Sequence, residues 1–217
     1  SHGGILGVLT VACVYAWRHK LSALAVCDGL AIVAPIGIFF GRLANFINGE
    51  LYGRITDAAV AVKFPQELFE LPALERMAAV QQAEQAAGGT LAQLAQGNEG
   101  GYDTLFRLCR ENPAVQDAIA PFLHGRYPSQ LFEALGEGLL IFAVLITLRL
   151  TLRNARAGLF SGLFCLLYAA ARITCECFKQ PDAAVWHGIT QGQLLSLIVV
   201  LMGIVFLTVP SRAKDAK

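Results

Sequence analysis

The stretch SALAVCDGLAIVAPIGIFFG, residues 22–41, decides the fold, because its twenty residues hold a single charge, Asp28. An α-helix rises about 1.5 Å per residue, so about 20 apolar residues match the roughly 30 Å hydrocarbon core of a bilayer. Working outward, residues 188–209 carry no charge and residues 131–148 carry only Glu133 and Glu137. Shorter apolar runs at 3–17 and 157–171 end in the Arg18-His19-Lys20 cluster and at Arg172. The whole chain of 217 residues is 55% hydrophobic and 15% charged, with mean hydropathy +0.54. Soluble domains hold about 45–50% apolar and about 25% charged residues. The composition therefore excludes a soluble enzyme and a disordered tail. The expected fold class is all-α, a polytopic helical membrane protein. A net charge of +1 with no basic stripe excludes a general nucleic-acid binder.

The chain begins with Ser1 rather than Met and is already entering an apolar stretch. It has no charged n-region and no small-residue cleavage site, so the opening reads as the interior of a longer protein rather than as a signal peptide.

Orientation follows from where Lys and Arg sit in the short loops. Arg18 and Lys20, then Arg149, Arg153 and Arg156, then Arg212, Lys214 and Lys217 make up eight of the 17 basic residues, accompanied by one acid, Asp215. Five spans put these three segments on one side, taken as cytoplasmic. Position 1, the 42–130 segment and the 174–187 loop then share the outer side. The expected organisation is two spans with a signature loop over 1–55, a small helical periplasmic cap over 56–126, and three spans with a cytoplasmic tail over 127–217. Within the cap, Leu74, Met77, Ala78, Gln81 and Gln82 fall at helical spacing. Gly88-Gly89 ends that helix, residues 97–101 read as a loop, and Pro113 to Leu123 reads as another short helix.

Cysteine and histidine usage removes several kinds of chemistry. Cys13, Cys27 and Cys165 lie inside apolar runs and Cys109 alone belongs to the cap, so no external disulfide framework is available. Cys175 and Cys177 are two apart and would point away from each other on a helix, which argues against a zinc site. No pair among His2, His19, His124 and His187 is four apart, and no G-x-S-x-G occurs. Both the metalloprotease and the obvious serine hydrolase patterns are therefore absent.

Polar residues at membrane depth are costly and point to function by default. The densest stretch, GRLANFINGELYGR at 41–54, places Arg42, Asn45, Asn48, Glu50 and Arg54 at the outer mouth of the second span. Glycines there, Gly53 among them, let backbone approach a ligand. A second cluster holds Arg172, Glu176, Lys179, Gln180 and Asp182, in which Arg172 and Glu176 are spaced to pair. A third runs from Arg126 to Glu133, with Ser129 and Gln130 at a helix start and Glu137 deeper, needing an arginine partner. By the charge-derived topology all three, together with His2, converge on the outer face. Two arginines there suit bidentate capture of a phosphate, most simply a phospholipid headgroup, and a histidine could act as general base. The residues alone leave open a lipid-headgroup enzyme or a lipid-binding transporter.

The 41–54 stretch resembles the signature of the bacterial prolipoprotein diacylglyceryl transferases. The likeness continues through His2-Gly3-Gly4, the RYPSQLFE block at 126–133, RITCECFKQPD at 172–182, and Gly192-Gln193. It implies seven spans, two of them ahead of Ser1, in the bacterial cytoplasmic (inner) membrane, with the site toward the periplasm. It also implies a reaction that needs no metal or cofactor. The sn-1,2-diacylglyceryl group passes from phosphatidylglycerol to the lipobox cysteine thiol of a preprolipoprotein, forming a thioether and releasing glycerol phosphate. Carried over residue by residue, His2 would help deprotonate the thiol, and Arg42 and Arg172 would hold the lipid phosphate. Asn45, Asn48, Glu50, Gly53, Ser129, Gln130, Glu133, Tyr168 and Glu176 would complete the binding site. Tyr127 stands where the family usually has histidine and Lys179 where it usually has arginine. The competing expectation is a phospholipid transporter or scramblase, which would need a continuous polar path across the bilayer.

Overall fold

The computed structural model describes the backbone of residues 2–180 and 191–209, and the side chains within them apart from those of His2, Ile5, Leu6 and Gln191. Helix accounts for 74% of the chain and no strand occurs among the described residues, so the protein is all-α as expected. Three helices are long and apolar enough to cross a membrane, at Ala23–Asn48, Ser129–Thr151 and Leu159–Glu176. Two shorter apolar helices lie at Gly7–Arg18 and Gly192–Thr208. The chain divides into two compact units, Ser1–Asn45 with Ser129–Lys217, and Phe46–Pro128.

The first unit holds α1 (His2–Arg18), most of α2 (Ala23–Asn48), α7 (Ser129–Glu133), α8 (Ile141–Thr151), α9 (Leu159–Glu176) and α10 (Gln191–Thr208). Its core is Ile141, Leu145 and Phe160, packed on by Ile32, Leu148, Leu163, Phe164, Leu167 and Tyr168. Most of the remaining apolar surface faces outward: Val8, Val11 and Val14 on α1, and Leu194, Leu197, Ile198, Leu201 and Val205 on α10, are exposed. In water such stripes would drive association, whereas in a bilayer they are the solvent-facing surface. Helices α9 and α10 meet through small residues. A Cβ at Gly162 would lie 2.6 Å from the Leu207 side chain and 3.1 Å from the Gly203 carbonyl oxygen. Lipid tails give helices no hydrophobic reason to associate, so close backbone approach of this kind has to supply the packing.

Asp28, the lone charge of the deciding stretch, is buried and spent on structure. Its carboxylate accepts from the Gly158 and Ser161 backbone N–H groups, each at 2.8 Å, and from the Ser161 hydroxyl at 2.7 Å. Gly158 precedes α9 at φ 92° and, having no side chain, cannot cap the helix itself. Asp28 on α2 thus supplies the N-terminal cap of α9, satisfying donors that neither helix nor lipid could satisfy.

Between α7 and α8 the helix winds as a π-turn over Ala134–Leu140. Nothing in the periodicity of LFEALGEGLL announces it. Such turns are rare and are frequent at functional sites. This one carries Glu137.

The second unit packs α3 (Ala73–Ala87), α4 (Leu91–Leu94), α5 (Gly101–Glu111) and α6 (Pro113–Ile119) around Leu68, Leu71, Ala79, Ala83, Leu91, Leu105, Val115 and Ile119. Helix α3 ends as its glycines require, with Gly88 left-handed at φ 75°. Thr90 and Gln93 form a capping box on α4, and the Asn112 side chain caps α6. Helix α5 was not anticipated beyond the loop at 97–101. Its apolar residues Tyr102, Leu105, Phe106 and Cys109 recur at helical spacing, and Leu105 and Cys109 are buried. The two ends of the unit are laced together. Ile55 and Val62 each form an antiparallel bridge with Arg126, the Gly53 N–H donates to the Tyr127 carbonyl at 2.9 Å, and the Tyr127 N–H donates to that of Arg54 at 3.0 Å.

Candidate active site

Burying a carboxylate in an apolar span costs several kcal/mol unless cations meet it. Helix α7 and its π-turn bury two, Glu133 and Glu137, with side chains at 0% exposure. Both are met by the same pair of arginines. Arg42 of α2 reaches Glu133 with Nη1 at 3.1 Å and Glu137 with Nη2 at 3.0 Å. Arg172 of α9 places Nη1 2.7 Å from Glu133 and 3.4 Å from Glu137, and Nη2 3.5 Å from Glu176. Arg42 uses the two prongs of its planar fork for the two carboxylates, whereas Arg172 meets both with Nη1 and turns Nη2 to Glu176. Lys179 is also buried, and its charge reaches Glu133. Arg42, Arg172 and Lys179 thus balance Glu133, Glu137 and Glu176, and the group is neutral as a whole.

The packing that brings these charges together is tight. A Cβ at Gly138 would lie 2.7–2.9 Å from the Cβ, Cα and N of Phe39, so α2 passes hard against the π-turn one residue beyond Glu137. Phe39 is three residues before Arg42, close to one helical turn, so this contact sets Arg42 over the carboxylates. Tyr168 lies one turn before Arg172 and stacks on Phe164 at 5.8 Å between ring centroids. Ser129 and Gln130 are fully buried at the start of α7.

Of the residues singled out in the sequence, the structure gathers Arg42, Arg172, Glu133 and Glu176 into one network. Glu137 finds both arginines rather than one. Asn45, three residues beyond Arg42, is half-buried in the same unit. The remainder of the 41–54 stretch belongs to the second unit. There Asn48 is exposed, and its backbone carbonyl accepts from the Gln66 amide. Glu50 is exposed, while Gly53 is buried and takes part in the lacing through both its N–H and its carbonyl. The His2 side chain, Asp182, His187 and the basic tail lie outside the described residues. Cys175 is buried while Cys177 is exposed, as their two-residue spacing requires.

The arginines are not bare clamps. Their side chains are 18% and 16% exposed, with the terminal nitrogens engaged from the buried side. The carboxylates fix the planes of the guanidinium groups. Sequence reasoning gave Glu137 an arginine partner, as found, but did not carry it into the binding residues that it named.

It also missed Glu67, the hub of the second unit. That buried carboxylate accepts from Arg126 Nε at 3.0 Å and Nη2 at 2.7 Å, from the His124 N–H at 3.0 Å, and lies 2.9 Å from His124 Nδ1. Arg126 in turn lies over the Tyr52 ring, 4.6 Å from its centroid. The Tyr52 hydroxyl donates to Glu70 at 2.5 Å. Burial, and then the hydrogen bond to Glu70, push its pKa well above the usual phenol value. No sequence signal distinguishes Glu67 from the other acids of that polar segment.

Fold and site together define a polytopic helical membrane protein in which two arginines and two carboxylates from different helices form a buried network. The family model described as prolipoprotein diacylglyceryl transferase matches residues 1–209. Relatives named phosphatidylglycerol–prolipoprotein diacylglyceryl transferase include one from Bdellovibrio bacteriovorus, 38% identical over 238 residues, covering 100% of this chain and 67% of the relative. Another, from Rickettsia bellii, is 34% identical over 94% of this chain and 58% of its own length. A third, from Rhodospirillum rubrum, is 37% identical over 98% of this chain and 60% of its own. The chain belongs to the prolipoprotein diacylglyceryl transferase family. It spans 58–67% of the length of these relatives.

Proposed function

We propose that the protein transfers the sn-1,2-diacylglyceryl group of phosphatidylglycerol to the lipobox cysteine of a preprolipoprotein, with no metal or cofactor. The observation that carries this reading is the meeting of Arg42 and Arg172 on the same two buried carboxylates. Those two positions are 130 residues apart, and an oriented pair of forks is what a lipid phosphodiester requires. In the reaction the thiol gives its proton to a base, for which His2 is the candidate. The sulfur attacks the glyceryl carbon that bears the phosphate, the carbon–oxygen bond breaks as the carbon–sulfur bond forms, and glycerol phosphate leaves. A free thiol has a pKa near about 8.5, so base assistance is needed near neutral pH. Arg42 and Arg172 hold the phosphate and take up the charge that grows on it. Glu133, Glu137 and Glu176 keep the forks in plane, and Asn45, Asn48, Glu50, Gly53, Tyr168, Ser129 and Gln130 shape the surroundings of lipid and peptide.

The same reading places the protein in the bacterial cytoplasmic (inner) membrane, with five spans in this chain and the site toward the periplasmic face. The Phe46–Pro128 unit then stands outside the membrane as a cap. A transporter or scramblase would need polar groups continuing across the bilayer. Asp28, the charge best placed to extend such a path, is consumed in capping α9. The test is transfer of labelled diacylglyceryl from phosphatidylglycerol vesicles to a lipobox peptide by the membrane-inserted protein. A labelled thioether product is expected. Lipid movement between leaflets with no thioether would overturn the proposal in favour of transport.

A further inference from the structure

Glu176 is the last residue of α9, buried at 6% exposure, with Oε2 3.5 Å from Arg172 Nη2. What it lies against is not another side chain but Gly192, the second residue of α10. A Cβ at position 192 would stand 2.7 Å from Glu176 Oε2, 2.8 Å from Oε1 and 2.9 Å from Cδ, closer than real Cβ atoms come. At Gly138 and Gly162 the equally close neighbours are Phe39 and the Leu207 side chain, whereas at Gly192 the close neighbour is a carboxylate. The first turn of α10 is also held in place. The Ser196 hydroxyl, itself buried, donates to the Gly192 carbonyl at 2.8 Å. The carboxylate is the free end of a flexible side chain, so it is the group that would move, at the cost of its contact with Arg172.

We infer that Gly192 is a positioning residue of the arginine site: its missing side chain makes the room in which Glu176 fixes the Arg172 fork. The inference deepens the transferase reading and rests on it for its kinetic consequence, but its structural content stands on the Gly192–Glu176 contact alone. A methyl group at 192 drives the Glu176 carboxylate off α10 and loosens Arg172. Shortening the acid by one methylene gives back the room.

The test compares the wild type, Gly192→Ala, Glu176→Asp and the double variant, all in the membrane-inserted protein. Gly192→Ala is expected to raise KM for phosphatidylglycerol about tenfold as the Arg172–Glu176 ion pair at 3.5 Å is lost, with a smaller change in kcat. Adding Glu176→Asp should bring KM back to within about threefold of the wild type, a rescue that a role confined to helix packing would not give. Thermal unfolding of the same four proteins supplies a readout independent of turnover, in which the double variant should be more stable than the sum of the single changes allows. A wild-type KM in Gly192→Ala, or no relief in the double variant, would overturn the inference. Strictly additive shifts in the unfolding midpoint would overturn it whether or not the protein transfers lipid. Absence of transfer by the wild type would instead count against the proposed function.

Discussion

Replacing Asp28 tests how a charge in mid-span is to be understood. Its carboxylate accepts three hydrogen bonds at 2.7–2.8 Å, two from backbone N–H groups at the start of α9 and one from Ser161. Hydrogen bonds to a charged group contribute about 1.5–3 kcal/mol each, and a helix N-cap about 1–2 kcal/mol, but bonds to one carboxylate are not additive. Asp28→Ala leaves two buried N–H groups and a hydroxyl without an acceptor, so a loss of about 3–5 kcal/mol is expected. Asp28→Asn keeps one oxygen and should lose about half as much. Ser161→Ala removes one bond and its donor together and should cost about 1 kcal/mol. The order Ala, then Asn, then the serine variant follows from counting acceptors. It is read by denaturant unfolding of the purified protein in mixed micelles, followed by tryptophan fluorescence. KM for phosphatidylglycerol should stay at the wild-type value in Asp28→Asn. A stability unchanged within about 0.5 kcal/mol in Asp28→Ala would refute the capping argument, since that is the size of an ordinary surface change. A normal stability with abolished transfer would refute it too, by showing that the charge serves the reaction.

Other outcomes follow from the same contacts. Glu137→Ala leaves Arg42 and Arg172 sharing Glu133 and should destabilise the first unit by about 3–5 kcal/mol while lowering transfer; equal stability to wild type in unfolding would contradict it. Glu67→Ala strands Arg126 and should cost about as much, read by earlier proteolytic cleavage within 46–128 as the lacing at Arg126 comes apart; wild-type resistance would count against the hub. Burial pushes the Cys109 thiol from the ordinary 9.0 up to about 11, so its thiolate fraction near pH 8 is about a hundredfold lower. Alkylation of Cys109 should therefore lag far behind that of exposed Cys177. A thiol whose folded pKa is raised contributes stability that is whole below about pH 9 and is lost between about pH 9 and pH 11, so the unfolding midpoint should fall through that window. In Cys109→Ala this particular fall should be absent.

Much of the fold is legible in the sequence because bilayer thickness leaves few ways to satisfy the backbone of an apolar run such as 22–41. The glycines at 88–89 and the Asn112-Pro113 start were equally readable, since left-handed caps and proline at the first helical position are local chemistry. Arg42 and Arg172 stood out because charge at membrane depth is expensive, and the structure joins them through carboxylates 91 and 95 positions from Arg42 and 39 and 35 positions from Arg172. Which carboxylates they share was not legible, because that depends on the π-turn at Ala134–Leu140 and on the approach of Phe39 to Gly138. The 41–54 stretch reads as one constellation, and its residues divide between the units: Arg42 and Asn45 lie in the first, Asn48, Glu50 and Gly53 in the second. Glu67 was hidden because, in a segment rich in charge, a buried acid carries no cost that the sequence displays.

The most direct test of the account is the rate of thioether formation from labelled phosphatidylglycerol and a lipobox peptide, compared between the wild type and Arg42→Ala at equal amounts of membrane-inserted protein. The wild type should form the thioether. Arg42→Ala should lose it by about two orders of magnitude or more, the size of effect that removing an oriented donor at a developing charge produces. Full activity in Arg42→Ala, with insertion intact, would contradict the claim that this arginine pair holds the lipid phosphate.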